Sequence, residues 1–299
     1  MSHTRLRWTQ AWAGPYDWPA MQAWLAARAL DDVEEVTGGS YKRTWRIGDV
    51  RGVIEVRPRV ASACLDVDAV ADGPVPGEAL AAHVVRVFDL ERDLAVVSAA
   101  LGTDPWMAAM LARHPGVRVP GGWEPFELAV RAVLGQQVTV RAARALVSTV
   151  ARLAGPDMPA GLARAGLTRV FPTAAEVLAA DLSPLRVPAL RRATVIALAQ
   201  AASDSDDLWT PDESLEAIVT RLRGVKGVGE WTAQYIALRA LRHPDAFPAS
   251  DVGLLRGAAD AAGVRPSPAD LLARAEAWRP HRAYAAQVLW ESCLMRHDS

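Results

Sequence analysis

The residues whose types and spacing suggest chemistry lie close together, between residues 214 and 251. Asp251 ends the run F-P-A-S-D and precedes a segment with the pattern of a helix. A carboxylate at a helix start either interacts favourably with the helix dipole or supplies a fixed charge that stabilises a cationic transition state. Trp231 and Tyr235 lie four residues apart on one face of a predicted helix. They are either core residues or an aromatic surface that attracts an electron-poor cation.

A glycine-rich turn, Gly224-Val-Lys-Gly-Val-Gly229, precedes the two aromatic residues. Glycine lets the backbone turn tightly and lets another backbone approach closely. Segment 214–222 begins with a capping serine and has apolar residues at helical spacing, and Glu230 suits the start of a second helix. Such a turn points backbone N–H groups at an anion, for example a DNA phosphate. The alternative is an ordinary glycine-closed connection between helices.

Together, G-V-K-G-V-G-E-W-T-A-Q-Y and F-P-A-S-D resemble the helix–hairpin–helix DNA glycosylase superfamily. The resemblance extends over nearly the whole chain to the bacterial 3-methyladenine DNA glycosylase II (AlkA-type) family. Segments similar to that family occur here in the same order: Pro15-Tyr-Asp-Trp18, Leu25-Ala-Ala-Arg-Ala29, Tyr41, Arg51-Gly-Val53, Phe88-Asp-Leu90, Ala132-Val-Leu-Gly-Gln-Gln-Val138 and Trp278-Arg-Pro280.

The resemblance implies that the enzyme turns alkylated bases out of duplex DNA and hydrolyses the N-glycosidic bond, with Asp251 as the catalytic residue. The transition state resembles an oxocarbenium ion, which a fixed carboxylate stabilises. An alkylated purine leaves as a neutral base, so no strong general acid is needed. The residues implied to line the base pocket are Trp231, Tyr235, Trp290 and Trp24.

Trp231 also bears on the reaction class. Relatives that cut the DNA strand carry a lysine two residues after the last hairpin glycine, where its amine forms a Schiff base with the sugar. Because Trp231 occupies that position, we expect a monofunctional enzyme. The alternatives are a glycosylase for another lesion, such as uracil or hypoxanthine, and a non-catalytic protein that binds damaged DNA.

The resemblance implies DNA contacts in two turns, from Gly227, Gly229 and Lys226 in the hairpin and from Gln136 and Gln137 in L-G-Q-Q-V-T. Gln137 is expected to fill the gap left by the flipped nucleotide; the alternative is an exposed polar turn. Lysine at position 226 replaces the family's usual proline and adds a phosphate contact.

No cofactor is expected to be required. The family implies one cation at the hairpin, a structural monovalent ion or else a weakly bound divalent one, held by the backbone carbonyls of Arg223, Val225 and Val228. Val252-Gly253 follow the aspartate where some relatives have an aromatic residue, so the pocket is expected to be roomier.

The composition excludes several classes of protein. The 299 residues have a net charge of −1, which argues against a strongly basic nucleic-acid binder. A local positive patch remains possible, since five basic residues surround the hairpin: Arg221, Arg223, Lys226, Arg239 and Arg242. Two distant cysteines, Cys64 and Cys293, exclude a four-cysteine iron–sulfur cluster. With no apolar run of membrane-spanning length and no signal segment, we expect a cytoplasmic monomer without membrane contact.

The hydrophobic pattern predicts an α+β protein in two domains. Residues 1–100 are expected to form a small N-terminal antiparallel sheet-and-helix domain, with strands at 41–47, 53–56 and 64–70 and helices at 16–30 and 78–90. Residues 101–299 are expected to form an all-α helix–hairpin–helix glycosylase core, with that motif at 214–241. Its helices are predicted at 125–134, 139–153, 173–181, 187–202, 214–222, 230–241, 252–262, 268–277 and 281–296, with an acidic linker at 204–207.

Overall fold

The N-terminal part of the chain forms a five-stranded antiparallel sheet in the computed structural model, which describes residues 3–211 and 214–295. The strands are β1 (Thr4–Ala11), β2 (Glu34–Thr37), β3 (Ser40–Ile47), β4 (Val50–Arg59) and β5 (Cys64–Ala71). Their order across the sheet is β1-β5-β4-β3-β2. The three predicted strands are confirmed as β3, β4 and β5. The sequence did not reveal β1 or β2, because β1 is a largely exposed edge strand and β2 has only four residues.

One face of the sheet is apolar because successive side chains of a strand point to opposite faces. On β5, the buried Leu65 and Val67 alternate with the more accessible Asp66. The apolar face packs against two helices, α1 (Trp18–Arg28) and α2 (Gly77–Phe88). Both helices confirm predicted segments.

The remaining helices of the described residues are α3 (Leu94–Leu101), α4 (Pro105–Arg113), α5 (Pro125–Leu134), α6 (Val140–Ala154), α7 (Ala174–Ala179), α8 (Ala189–Asp204), α9 (Leu215–Arg223), α10 (Glu230–Arg239), α11 (Val252–Gly257), α12 (Pro268–Ala275) and α13 (Arg282–Met295). No helix within the described residues is long and apolar enough to cross a membrane. The sheet followed by these helices confirms the predicted α+β fold class with a helical core.

Two predicted segments differ from the structure. The helix predicted to reach residue 262 ends at Gly257, because the Asp260 side chain accepts hydrogen bonds from the N–H groups of Ala262 and Val264 and closes a turn. The acidic stretch 204–207 is exposed as predicted, but it is not a linker. It contains the end of α8 and the start of a 3-10 turn that is anchored by the buried Leu208.

The sheet and the helices have separate hydrophobic cores that meet at α1. Trp18, Met21 and Trp24 of α1 pack with the sheet, whereas Leu30 and Val33, just beyond the helix, pack with the helical core. A chain segment near residue 30 thus belongs to the second core, so the division at residue 100 stays a prediction.

The predicted helix–hairpin–helix is confirmed as α9, the turn 224–229 and α10. Gly227 shows why the turn contains glycine: its φ is +90°, a region that residues with a side chain rarely adopt. A β-carbon there would lie 1.9 Å from Oγ1 of Thr194 on α8. The hairpin is therefore packed directly against α8.

Candidate active site

Asp251 caps α11, and hydrogen bonds hold both of its carboxylate oxygens. Oδ1 accepts from the backbone N–H groups of Gly253 and Leu254, at 2.8 and 3.1 Å, which is an N-terminal helix cap. Oδ1 also accepts from the indole Nε1–H of Trp290 on α13, at 2.9 Å. Oδ2 accepts from the indole Nε1–H of Trp231 on α10, at 2.9 Å. Three helices therefore fix the position of one half-buried carboxylate.

The close approach of Trp290 to Asp251 depends on Gly253. A β-carbon at Gly253 would lie 2.9 Å from Cδ1 of Trp290 and 3.0 Å from Oδ1 of Asp251. Contacts this short require one of the two side chains to move. From the sequence, Gly253 was expected only to enlarge the pocket, whereas in the structure it also leaves room for the hydrogen bond between the Trp290 indole and the Asp251 carboxylate.

The four predicted pocket aromatics are brought together beside Asp251. The rings of Trp231 and Tyr235 stack, with centroids 5.4 Å apart and planes 20° apart. Tyr235 meets Trp290 edge to face at 6.1 Å. Trp24 is the fourth member of the group. It is a buried residue of α1 and belongs to the hydrophobic core of the sheet, whereas Tyr235 and Trp290 pack against the helical core.

The guanidinium group of Arg239 contacts three of these four rings. Its guanidinium carbon lies 4.9 Å from the ring centroid of Trp24, 4.6 Å from that of Trp290 and 5.8 Å from that of Tyr235. Burial lowers the pKa of Arg239 to about 10, so the group stays positively charged near neutral pH. Its N–H groups donate to the Pro120 carbonyl and to Oε1 of Gln287, at 3.0 and 2.8 Å.

All these side chains border one cleft of 1630 Å³. The predicted site residues that line it are Trp24, Gln136, Gln137, Gly227, Gly229, Trp231, Tyr235, Asp251 and Trp290. A typical small-molecule pocket measures about 300–1,000 Å³. The cleft is therefore large enough for a polymer segment as well as one planar group, and its apolar wall is next to a fixed carboxylate.

The two glutamines of the L-G-Q-Q-V-T turn have different surroundings. The amide of Gln136 donates to Oγ1 of Thr232 at 2.8 Å and to the Gly227 carbonyl at 3.4 Å. Gln136 thus ties this turn to the hairpin, and the DNA contact expected of it from the sequence stays a prediction. Gln137 is exposed at the cleft, and its φ of +57° is in the left-handed region that residues with a side chain rarely adopt.

Of the five basic residues expected around the hairpin, Arg239 and Arg242 do not contribute to a positive patch there. Arg239 is buried among the aromatic rings, and Arg242 is bonded to Asp89 and the Val119 carbonyl. Arg221 donates to a backbone carbonyl, and Arg223 lies 3.3 Å from Glu230. The expectation was wrong for Arg239 and Arg242 because nearness in sequence to a turn does not fix the direction of a side chain. Lys226 is exposed on the hairpin, as a phosphate contact requires.

Arg239 and Glu291 are cleft residues that were not predicted as site residues from the sequence. Arg239 was expected on the hairpin surface, although Trp231, Tyr235 and Arg239 recur every fourth residue and so share one helix face. That spacing is the signal that identifies Arg239. Glu291, which also lines the cleft, directly follows Trp290, and its direction depends on how α13 packs.

Known proteins with related sequences and folds extend these observations. Residues 7–124 match the model of the AlkA N-terminal domain family. The chain is 36% identical to DNA-3-methyladenine glycosylase 2 of Escherichia coli over 290 residues, which cover 95% of this chain and 96% of that protein. It is 23% identical to DNA-3-methyladenine glycosylase of Bacillus subtilis over 283 residues, covering 92% and 93%.

A solved structure shows the same fold. The 3-methyladenine DNA-glycosylase of Archaeoglobus fulgidus superposes with a TM-score of 0.82 at 18% identity, covering 97% of this chain and 99% of that one. Three observations indicate the same family: the cleft with its fixed aspartate, the confirmed helix–hairpin–helix, and the sequence identity over almost the full length of the Escherichia coli protein. The chain therefore belongs to the AlkA-type DNA-3-methyladenine glycosylase 2 family.

Proposed function

We propose that this chain is a monofunctional DNA glycosylase that turns alkylated bases, such as 3-methyladenine and 7-methylguanine, out of duplex DNA and hydrolyses their N-glycosidic bonds. This reaction starts base excision repair. The observation that carries the proposal is the Asp251 carboxylate, held by two indole and two backbone N–H groups at the wall of an aromatic cleft.

In the proposed mechanism, Asp251 faces the sugar as the glycosidic bond breaks. Positive charge develops on the sugar ring, and a carboxylate that is already in place stabilises it without reorganisation. The aromatic faces of Trp231, Tyr235 and Trp290 attract the electron-poor base. Since an alkylated purine departs as a neutral base, no proton needs to be delivered to it.

The positions of the lysines support a monofunctional reaction. The chain has two, Lys42 and Lys226. Lys42 lies on β3, 3.8 Å from both Glu35 and Glu55, and Lys226 is exposed on the hairpin. Neither is among the residues that line the cleft, so neither amine is placed to form a Schiff base with the sugar.

The experiment that tests the proposal measures products from alkylated duplex DNA. We expect released 3-methyladenine and 7-methylguanine, and DNA strands that stay intact until alkali or heat is applied. Borohydride added during turnover should trap no covalent complex. Release of uracil or hypoxanthine alone would support the other-lesion alternative, DNA binding without base release would support the binding-protein alternative, and a trapped complex that depends on Lys42 or Lys226 would contradict the monofunctional assignment.

We further propose that the hairpin carbonyls of Arg223, Val225 and Val228 hold one structural monovalent cation when DNA is present. The Val225 carbonyl also accepts the N–H of Val228 at 3.0 Å, and a carbonyl oxygen retains a second lone pair for a cation. DNA affinity should then be higher in potassium or sodium than in a bulky organic cation at equal ionic strength. A monomeric state and a cytoplasmic location remain proposals that accord with this activity.

A further inference from the structure

A second carboxyl group lines the cleft, and the proposed mechanism does not use it. Glu291 on α13 is only 8% exposed, yet it borders the cleft beside Trp290. Its Oε1 accepts a hydrogen bond from Nε2 of Gln287 at 2.7 Å. Within the described part of the chain, Gln287 is the hydrogen-bond partner of this carboxyl, so Oε2 is left for a ligand.

Glu291 is part of a hydrogen-bonded chain that begins at the aromatic pocket. Arg239 donates to Oε1 of Gln287 at 2.8 Å, and the amide nitrogen of Gln287 donates to Glu291. A second cation, Arg28 of α1, lies 4.5 Å from the ring centroid of Trp24, and Arg239 lies 4.9 Å from the same centroid. Two guanidinium groups therefore face one pocket ring, and Glu291 is linked to one of them.

The charged groups of the neighbouring helices act on Glu291 in opposite directions. Burial raises the pKa of Glu291, and the negative charge of Asp17 at the start of α1 raises it further. The hydrogen bond from Gln287 and the positive charges of Arg239 and Arg28 lower it. The net result is a raised pKa. His114, at the end of α4, contacts Ser292 at 3.1 Å instead of Glu291. The carboxyl therefore loses its charge at a higher pH than an ordinary glutamate does.

This arrangement matters for a base that is itself positively charged. An alkylated purine entering the pocket comes close to the guanidinium groups of Arg28 and Arg239, which border the cleft, and like charges repel strongly where water is excluded. We propose that Glu291 is a specificity-determining residue, whose negative charge at the Arg28–Trp24–Arg239 stack makes the pocket favour positively charged alkylated purines over neutral damaged bases. This inference rests on the proposed glycosylase function.

The test compares single-turnover excision of a cationic base, 7-methylguanine, with that of a neutral base, hypoxanthine, over a pH series. Glu291→Gln keeps the size and the hydrogen-bonding capacity but removes the charge. We expect the 7-methylguanine rate to fall roughly tenfold relative to the hypoxanthine rate. In the parent, this preference should decline as the pH falls through the titration of Glu291, and in Glu291→Gln it should not change with pH.

Two further variants separate charge from packing. Glu291→Asp keeps the charge and should retain most of the preference, whereas Glu78→Gln removes an exposed glutamate of α2 and should leave it unchanged. Melting curves establish that each variant is folded. A folded Glu291→Gln that keeps the parental rate on 7-methylguanine at every pH would overturn the inference, as would equal losses on both bases. A parent that releases no alkylated base would instead overturn the proposed function.

Discussion

At the residue scale, the structure of Asp251 is compatible with both roles considered from its sequence, a helix cap and a reactive carboxylate. The sequence left a helix cap and a reactive carboxylate as alternatives. The structure shows the cap, through the N–H groups of Gly253 and Leu254, together with two indole donors on the same carboxylate. Trp290 lies 39 residues from Asp251, so this bond depends on packing between α11 and α13, which no local pattern predicts.

Trp231→Phe tests whether the indole bond matters apart from the aromatic face. Phenylalanine keeps a ring for stacking but removes the donor to Oδ2 of Asp251. A hydrogen bond to a charged group contributes about 1.5–3 kcal/mol, so we expect single-turnover excision to fall by roughly tenfold or more. Trp8→Phe, at a tryptophan of β1 whose buried Nε1 has no partner in the described residues, is the matched control. An unchanged rate in Trp231→Phe would show that this bond does not position the carboxylate.

At the element scale, the helix–hairpin–helix could be predicted from the sequence, but the contacts of its side chains could not. Glycine spacing and the apolar pattern of 214–222 predicted α9, the turn and the start of α10. The charges around the turn depend on side-chain directions, so Arg239 and Arg242 do not add to the positive charge of the hairpin surface, while Lys226 remains exposed. The sequence also gave no sign that Gln136 bonds the hairpin, because its partners lie more than ninety residues away.

Lys226→Ala tests the hairpin as a phosphate-binding element. Removing one phosphate contact should weaken DNA binding regardless of sequence and reduce the slope of log affinity against log salt by about one unit. Lys42→Ala is the matched control, because Lys42 is the other lysine and lies on β3 near Glu35 and Glu55. The measurement is a titration of duplex DNA at several salt concentrations. Equal slopes for the parent and Lys226→Ala would mean that Lys226 does not touch the backbone.

At the scale of the whole molecule, a buried ionic network joins the sheet to the helical core. Arg43 of β3 lies 2.8 Å from Glu127 of α5, and Arg131 of α5 lies 2.6 Å from Glu34 of β2. Tyr41 donates a further hydrogen bond to Glu34. The sequence predicted both parts of the molecule but not this connection, since Glu34 and Arg131 are 97 residues apart.

The network makes stability depend on pH through Glu34. Burial alone would raise the pKa of Glu34, but Arg131 and Arg43 outweigh burial and lower it. A lowered pKa means that the ionised group stabilises the fold above the unfolded-state pKa of about 4.3, and that this contribution is lost as the pH falls below that value.

Glu34→Gln should therefore lower the free energy of unfolding by about 3 kcal/mol near neutral pH. The difference from the parent should shrink as the solution is acidified. Thermal or urea unfolding at a series of pH values measures this difference in the free energy of unfolding. Glu35→Gln, on the same strand, is the control. A difference between parent and Glu34→Gln that is constant down to acidic pH would show that the Glu34 charge does not stabilise the fold.

Asp251→Asn tests most directly whether the negative charge of Asp251 drives base release. Asparagine keeps the size, and its amide oxygen still caps α11. Its amide nitrogen cannot accept the hydrogen bond from Trp231, so we expect a modest fall in the melting temperature, while the affinity for DNA with an abasic-site mimic should change little. Losing one preorganised electrostatic contact typically costs on the order of 3 kcal/mol, so single-turnover release of 3-methyladenine and 7-methylguanine should fall at least about a hundredfold. If Asp251→Asn is folded, binds DNA and releases these bases at the parental rate, then Asp251 is only a helix cap and the proposed mechanism is wrong.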